Sequence, residues 1–300
     1  MEYTIQRGEP VAAEIRRIID GKVQQGIDHI DDDIGQNKTV HEVRKRCKEV
    51  RAAARLVRPV LPNYSEVNAH YRDAARRISD IRDAHAAIET FDDHIQPAIE
   101  DSRTLSEAQI EDIRTTLVTR RDDMAASQDV SHRLDDVRED LVAGRERISD
   151  LPIATDGYDA VAGGLRKSYK RARNRMAEAY DDPDFERFHE WRKRIKYHRY
   201  HSRLLRSIWI GPMKARRAEL NTLSDVIGDE NDLAEFAMMM NDEDLFDAET
   251  GQLIDRIIRG RRSALHREGR PLGERLFAET PEQLIDRFGQ YWEATREYDI

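Results

Sequence analysis

Several kinds of protein are excluded by what this sequence has little of. One cysteine, Cys47, leaves no partner for an intrachain disulfide. No apolar run reaches the roughly 18 residues that cross a bilayer. The opening MEYTIQRGEP has no secretory-leader pattern. Aromatic residues are only 7% of the chain and prolines only nine, which with abundant Ala, Arg, Asp, Glu and Leu points to helices. No segment alternates apolar and polar residues as a half-buried strand does. Neither an HExxH pair, a Cys-His zinc spacing, a GxxxxGK[ST] phosphate loop nor a GxSxG elbow occurs. The expectation is an all-α, reduced, soluble and cytoplasmic protein with no metal, no cofactor and no membrane partner.

What the chain has is charge. Charged residues are 36% and the formal net charge is −9. An acidic total does not exclude an anionic partner, because the Debye length at physiological salt is about 8 Å and local charge decides local binding. The acids gather at 31–33, 229–230 and 242–244, and the bases gather elsewhere.

Residues 189–206 read HEWRKRIKYHRYHSRLLR, a helix with no internal Gly or Pro. At about 100° per residue, His189, Arg192, Lys193, Lys196, Arg199 and Arg203 share one face. Phe188, Trp191, Ile195 and Leu205 share the other. Only Glu190 opposes the positive charge within the stretch, whereas a surface helix ordinarily pairs its bases with acids one turn away. Residues 41–58, HEVRKRCKEVRAAARLVR, repeat it without gaps. His41, Arg44, Lys45, Lys48, Arg51 and Arg55 align with those six cations, and Val40, Val43 and Cys47 align with Phe188, Trp191 and Ile195. We read this as an internal duplication. A third run with no acid before Glu178 carries Arg166, Lys167, Lys170, Arg171, Arg173 and Arg175.

Apolar periodicity predicts helices over 9–30, 40–58, 65–94, 105–125, 127–148, 158–180, 185–208, 213–241, 250–268 and 281–297. Thr39 and Glu42 have the spacing of a capping box for the second. Pro97 marks a break, and Gly269, Pro271 and Gly273 mark the interruption before the last helix. Ile78–Ala84 parallels Ile227–Leu233, so each cationic helix is followed by a matching segment, ending Arg82-Asp83-Ala84 or Asn231-Asp232-Leu233. The expected architecture is one domain over 1–300 with halves 1–150 and 151–300, two four-helix bundles related by a pseudo-twofold.

These residues resemble the CHAD family, the conserved-histidine α-helical domain. His41, Arg44, Lys48 and Arg51 fit its first helix pattern, and His189, Arg192, Lys196, Arg199 and Tyr200 fit its second. Arg82-Asp83, Asn231-Asp232, Tyr169-Lys170-Arg171-Ala172-Arg173, PLGERLFAETPEQL and Tyr291-Trp292 are also similar to family segments. Lys48 and Lys170 stand where the family commonly has Arg, keeping charge but not the bidentate fork. The resemblance implies a pseudo-symmetric helical fold with a basic central cleft that binds inorganic polyphosphate. The glutamate-rich motif of the triphosphatase domain often fused to it is missing here, so a non-catalytic protein is expected.

The expected binding residues are the six cations from each ladder, Tyr200, and Arg166, Lys167, Lys170, Arg171 and Arg173 from the middle run. Successive charges one turn apart lie about 5.4 Å apart along the axis, a row that a linear polyanion can bridge. His41 and His189 are read either as phosphate donors or as groups fixing helix entry. His198 and His201, at i and i+3, lack the further ligands of a metal site. Asp83 and Asp232 are read as partners for arginines rather than as an acid–base couple. Nucleic acid is the closest competing ligand, with Tyr197, Tyr200 and Trp209 as candidate base stackers. A purely structural helical scaffold is the third reading, and a phosphate-transfer enzyme the last. The expected location is the cytoplasm, with association to polyphosphate granules.

Overall fold

The computed structural model describes residues 2–32, 34–127, 129–148 and 151–298, with all side chains there except those of 80–83, 125–127 and 298. Among the described residues there are helices and no strands. The first half carries α1 (Val11–Asp31), α2 (Gln36–Leu56), α3 (Tyr64–Arg76), α4 (Ser79–Thr90), α5 (Gln96–Ser102), α6 (Glu107–Ser127) and α7 (Val130–Glu146). The second carries α8 (Gly157–Asp181), α9 (Phe185–Leu204), α10 (Ile210–Asp242), α11 (Ala248–Leu276) and α12 (Pro281–Tyr298).

The apolar stripes do what their spacing predicts. Ile15, Ile19, Val23 and Ile27 of α1 are buried, as are Val40, Val43, Cys47 and Val50 of α2 and Phe188, Trp191 and Ile195 of α9. Both copies of the repeat thus turn the same face to the core.

Four boundaries differ from the sequence expectation. α2 starts at Gly35, whose φ of 92° suits glycine, and not at Thr39. Thr39 lies one turn inside, where its hydroxyl donates to the His29 carbonyl at 3.3 Å and ties α2 to the end of α1. The expected helix over 65–94 is two, α3 and α4, separated at Arg77 and Ile78, with the Ser79 hydroxyl donating to the Arg76 carbonyl at 2.9 Å. Pro97 does not break the chain. A π-helical turn over Phe91–Ile95 leads into α5, and Pro97 sits in its first turn, where a missing N–H costs least. α11 runs unbroken through Gly269, Pro271 and Gly273. The two glycines serve contact rather than interruption: a Cβ at Gly273 would stand 2.8 Å from Met176 Sδ, and one at Gly269 2.8 Å from Ile227 Cδ1.

In the first half α1 packs on α2 and α7, and α3 on α2 and α7. In the second, α8 packs on α9 and α12, and α10 on α9 and α11. The halves meet where α2 lies against α8 and α9, and α4 against α10. Gly164 sets the first of these meetings, since a Cβ there would be 1.8 Å from the Leu56 carbonyl oxygen. Buried apolar residues from Tyr3 to Phe288 form one continuous core across both halves.

A strap of residues before α1 joins the halves as well. Ile5 N–H donates to the Leu204 carbonyl at 2.8 Å, the Ser207 hydroxyl to the Ile5 carbonyl at 2.6 Å, and the Tyr3 hydroxyl to the Glu49 carbonyl at 2.6 Å. Tyr3 and Ile5 are fully buried.

Candidate functional site

The ladders begin alike. Glu42 takes Lys45 at 3.0 Å and Arg46 at 2.5 Å. Glu190 takes Lys193 and Arg194, each at 2.8 Å. Burial would raise both carboxyls, but the paired bases outweigh it and hold them below the usual range. The duplication therefore extends to side-chain geometry, and it leaves Lys45 and Lys193 engaged by their own helices.

Further along, the ladders approach one another. Lys196 of α9 lies within electrostatic reach of Lys48 on α2 and of Arg192 and Arg199 on its own helix. Burial first, and then Arg192 and Lys48, push its ammonium well below the ordinary lysine range, while Asp232 of α10 opposes them. Asp232 is itself paired with Arg192 at 3.2 Å. Neighbouring Asn231 is fully buried, and its side-chain oxygen accepts from His189 Nδ1. The Asn231-Asp232 pair thus orients the first two members of the second ladder, as expected of a structural acid. His41 is exposed, and Arg44 donates to the Ala75 carbonyl at 3.2 Å. The Arg82 and Asp83 side chains lie outside the described residues.

Arg203, at the far end, pairs at 3.2 Å with Glu49 of α2 and stands 5.1 Å over the Tyr3 ring. Glu49 is 1% exposed and also takes Arg46 at 2.6 Å and Lys22 at 3.5 Å. Tyr200 is in the core, edge-on to Tyr3, with the Arg199 guanidinium 5.3 Å from its ring. It supports Arg199 rather than offering a surface of its own.

A second cluster forms at the end of α2. Arg51 and Arg55 donate to Asn68 of α3 at 3.2 and 3.0 Å. Arg55 is 7% exposed and lies 4.0 Å from the Tyr197 ring. Arg58 is pushed down to about 10 by burial and then by Arg55 and Arg171. Its Nε and Nη2 are buried without a hydrogen-bond partner. Lys167 of α8 is lowered by Arg58, then by burial and Arg171. Arg171 is lowered by burial, then by Arg194 and Arg55. The α8 run therefore divides. Lys167 and Arg171 face the end of the first ladder. Arg166 pairs with Glu282 of α12, near which Lys170 also lies, and Arg173 donates to the Phe277 carbonyl at 3.2 Å.

Two cations outside the expected set join these groups. One is Arg58, which the repeat alignment matched with Arg206. The other is Arg217 of α10, lowered by burial and then by Arg203, Arg199 and Arg206. Its signal was the acid-free KARR run at 214–217.

His198 and His201 belong to the core. His201 Nε2 donates to the Ala52 carbonyl at 3.1 Å, and burial pushes its pKa down to about 3. Arg216 donates to His198 Nε2 at 3.0 Å, and burial followed by the Arg216 charge keeps that ring neutral. Both rings lock α9 in place. Among the described residues no helix is long and apolar enough to cross a membrane.

Compared with known families, residues 17–240 match the CHAD domain. The match runs from α1 to near the end of α10 and includes both ladders and the α8 run. No curated protein matches the chain.

Proposed function

Because the chain belongs to the CHAD family, we propose that it binds inorganic polyphosphate, without catalysis, along the cations of α2, α9 and the inward side of α8. The observation that carries this reading is half-buried Lys196, without an ion pair among the described residues, between Arg192 and Arg199 and opposite Asp232, a carboxylate already committed to Arg192. Gathering like charges in a half-buried place is unfavourable without a counter-charge. A row of phosphates supplies it. Two buried donors of Arg58 without acceptors point the same way, since an unsatisfied buried donor costs about 1–3 kcal/mol.

Nucleic acid offers the same charges but needs faces for its bases to stack on. Of the three candidate stackers, Tyr200 is buried and Tyr197 lies under Arg55, which leaves Trp209, exposed and edge-on to Tyr291, and favours an inorganic chain. The carboxylates beside the ladder, Asp232 and Glu49, are paired with Arg192 and Arg203 and so act as holders of those arginines. The proposed setting is the cytoplasm, at polyphosphate granules.

The test is a titration with polyphosphate of defined lengths. Binding should strengthen with chain length and weaken steeply with salt, because each contact releases counterions. Reversing charge at Arg192 and Lys196 together should remove most of the affinity, whereas reversing the exposed Arg256 and Arg259 of α11 should not. Equal losses in the two double variants, or no binding at low salt by folded protein, would refute the reading. Single-stranded DNA that binds as tightly, charge for charge, would favour the nucleic-acid alternative.

A further inference from the structure

Lys196 differs from most of the other α9 ladder cations in its surroundings, and among the described residues it shares the lack of an ion pair with Arg199. Arg192 has Asp232, Arg203 has Glu49, and Lys193 has Glu190. Among the described residues Lys196 has no ion pair or hydrogen bond, yet it is half-buried. Lys48 faces it from α2, and Arg192 and Arg199 from its own helix. Asp232 faces it from α10, one turn from Asp229, which is paired with His94 at 3.8 Å. The other elements packed on α9 place their charges elsewhere: Arg171 of α8 meets Arg194, and Arg206 of the turn after α9 meets Arg217.

The three cations near Lys196 do not answer to pH in the same way. Arginine keeps its proton under all ordinary conditions. A lysine can give up its charge when burial and like neighbours make that charge unfavourable. Of the two lysines in this cluster Lys48 is exposed and Lys196 half-buried, so Lys196 is the group in which burial and like neighbours favour release of a proton. A phosphate chain reverses the local field. Its oxygens accept from an ammonium and compensate Arg192, Arg199 and Lys48, so the charged form of Lys196 becomes the favoured one.

We propose that polyanion binding at this cluster is coupled to uptake of a proton by Lys196, making occupancy sensitive to pH. The proton comes from solvent and sits on Nζ, and no bond of the ligand changes. Affinity should fall as pH rises between the titration point of Lys196 in the free protein and its higher point in the complex. Below that window the lysine is already charged and the coupling vanishes. The inference rests on the polyphosphate reading, and the two can fail separately.

The experiment is calorimetry of long-chain polyphosphate binding to the full chain at a series of pH values from about 6 up to about 10, the ordinary lysine range, in buffers that differ in ionisation enthalpy. Long chains minimise the contribution of their titratable end groups. The wild type should take up a proton on binding, seen as an observed enthalpy that changes with the buffer. Lys196→Arg, which holds its charge throughout, should lose that dependence at whatever affinity it retains. A parallel NMR titration of the Lys196 side chain in the free and saturated wild type reads the same event without a variant. The Lys196 titration should move to higher pH on saturation. Binding without buffer dependence, or a Lys196 titration that does not move, would overturn the proton coupling while leaving polyphosphate binding intact. No binding in any buffer would overturn both.

Discussion

His201 is, with His198, one of the two residues on which mild acid should act first. Its ring is buried and neutral, with a pKa near 3 in the fold against about 6.5 in an unfolded chain. The unfolded state therefore gains a proton as pH falls below about 6.5, while the folded state stays neutral down to about 3. The stability this neutral ring confers is complete above the unfolded value and is lost across that window, by up to about 1.4 kcal/mol per pH unit. Melting temperature should fall between pH 6.5 and 5, before carboxylates titrate, and His201→Gln should flatten the fall. An unchanged slope in that variant would assign acid sensitivity elsewhere, with His198 next in line. A second prediction concerns Arg217, which was not recognised from the repeat. Arg217→Glu should weaken polyphosphate binding and lower the slope of log affinity against log salt by roughly 0.7 per lost contact. An unchanged slope would confine the site to α2, α8 and α9. The ladder cations were legible one by one because a helix face is a local property of sequence. Their partners were not. Asp232 reaches Arg192 from α10, and Glu49 reaches Arg203 from α2, and only packing brings these together.

Among the elements, α9 departs most from a simple amphipathic helix. Its first half buries Phe188, Trp191 and Ile195 on one side, but its second half also buries Tyr200, His201 and Leu204 on another. It lies between α2, α8 and α10, and its exposed strip is narrow. Residues that share its cationic face in projection therefore have different fates: Lys196 and Arg199 remain without ion pairs among the described residues, while Tyr200 sinks into the core. Periodicity found the helix and its register, but a single face could not reveal three neighbours. The same limit explains α11. Gly269, Pro271 and Gly273 read as a break, yet tight contact with Met176, Trp191 and Ile227 makes glycine a packing requirement there. Reversing charge at Arg44 and Lys48 in α2 should weaken polyphosphate binding about as much as the α9 pair, with helical content unchanged by circular dichroism. A loss confined to the α9 variant would mean that the two copies no longer share one task.

For the whole molecule, the meeting of halves depends on a backbone approach at Gly164. A side chain at that position would collide with the Leu56 carbonyl, and a carbonyl within a helix end cannot move alone. Gly164→Val should cost at least about 3 kcal/mol, the upper end of the range for overpacking a core, because the collision is with backbone. It should also reduce binding, since Arg55 and Arg58 on one side and Lys167 and Arg171 on the other would separate. A chemical-denaturation midpoint close to that of the wild type would show that the halves tolerate a wider spacing. The strap sets a different condition, one of time. Tyr3 and Ile5 complete their packing against Tyr200 and Leu204, which are made some two hundred residues later. At synthesis rates of about 5–20 residues per second, they wait roughly 10 to 40 seconds for that surface to exist. Residues 3 to 5 are thus ordered well after they are made, and during that interval their apolar side chains are open to whatever meets the growing chain.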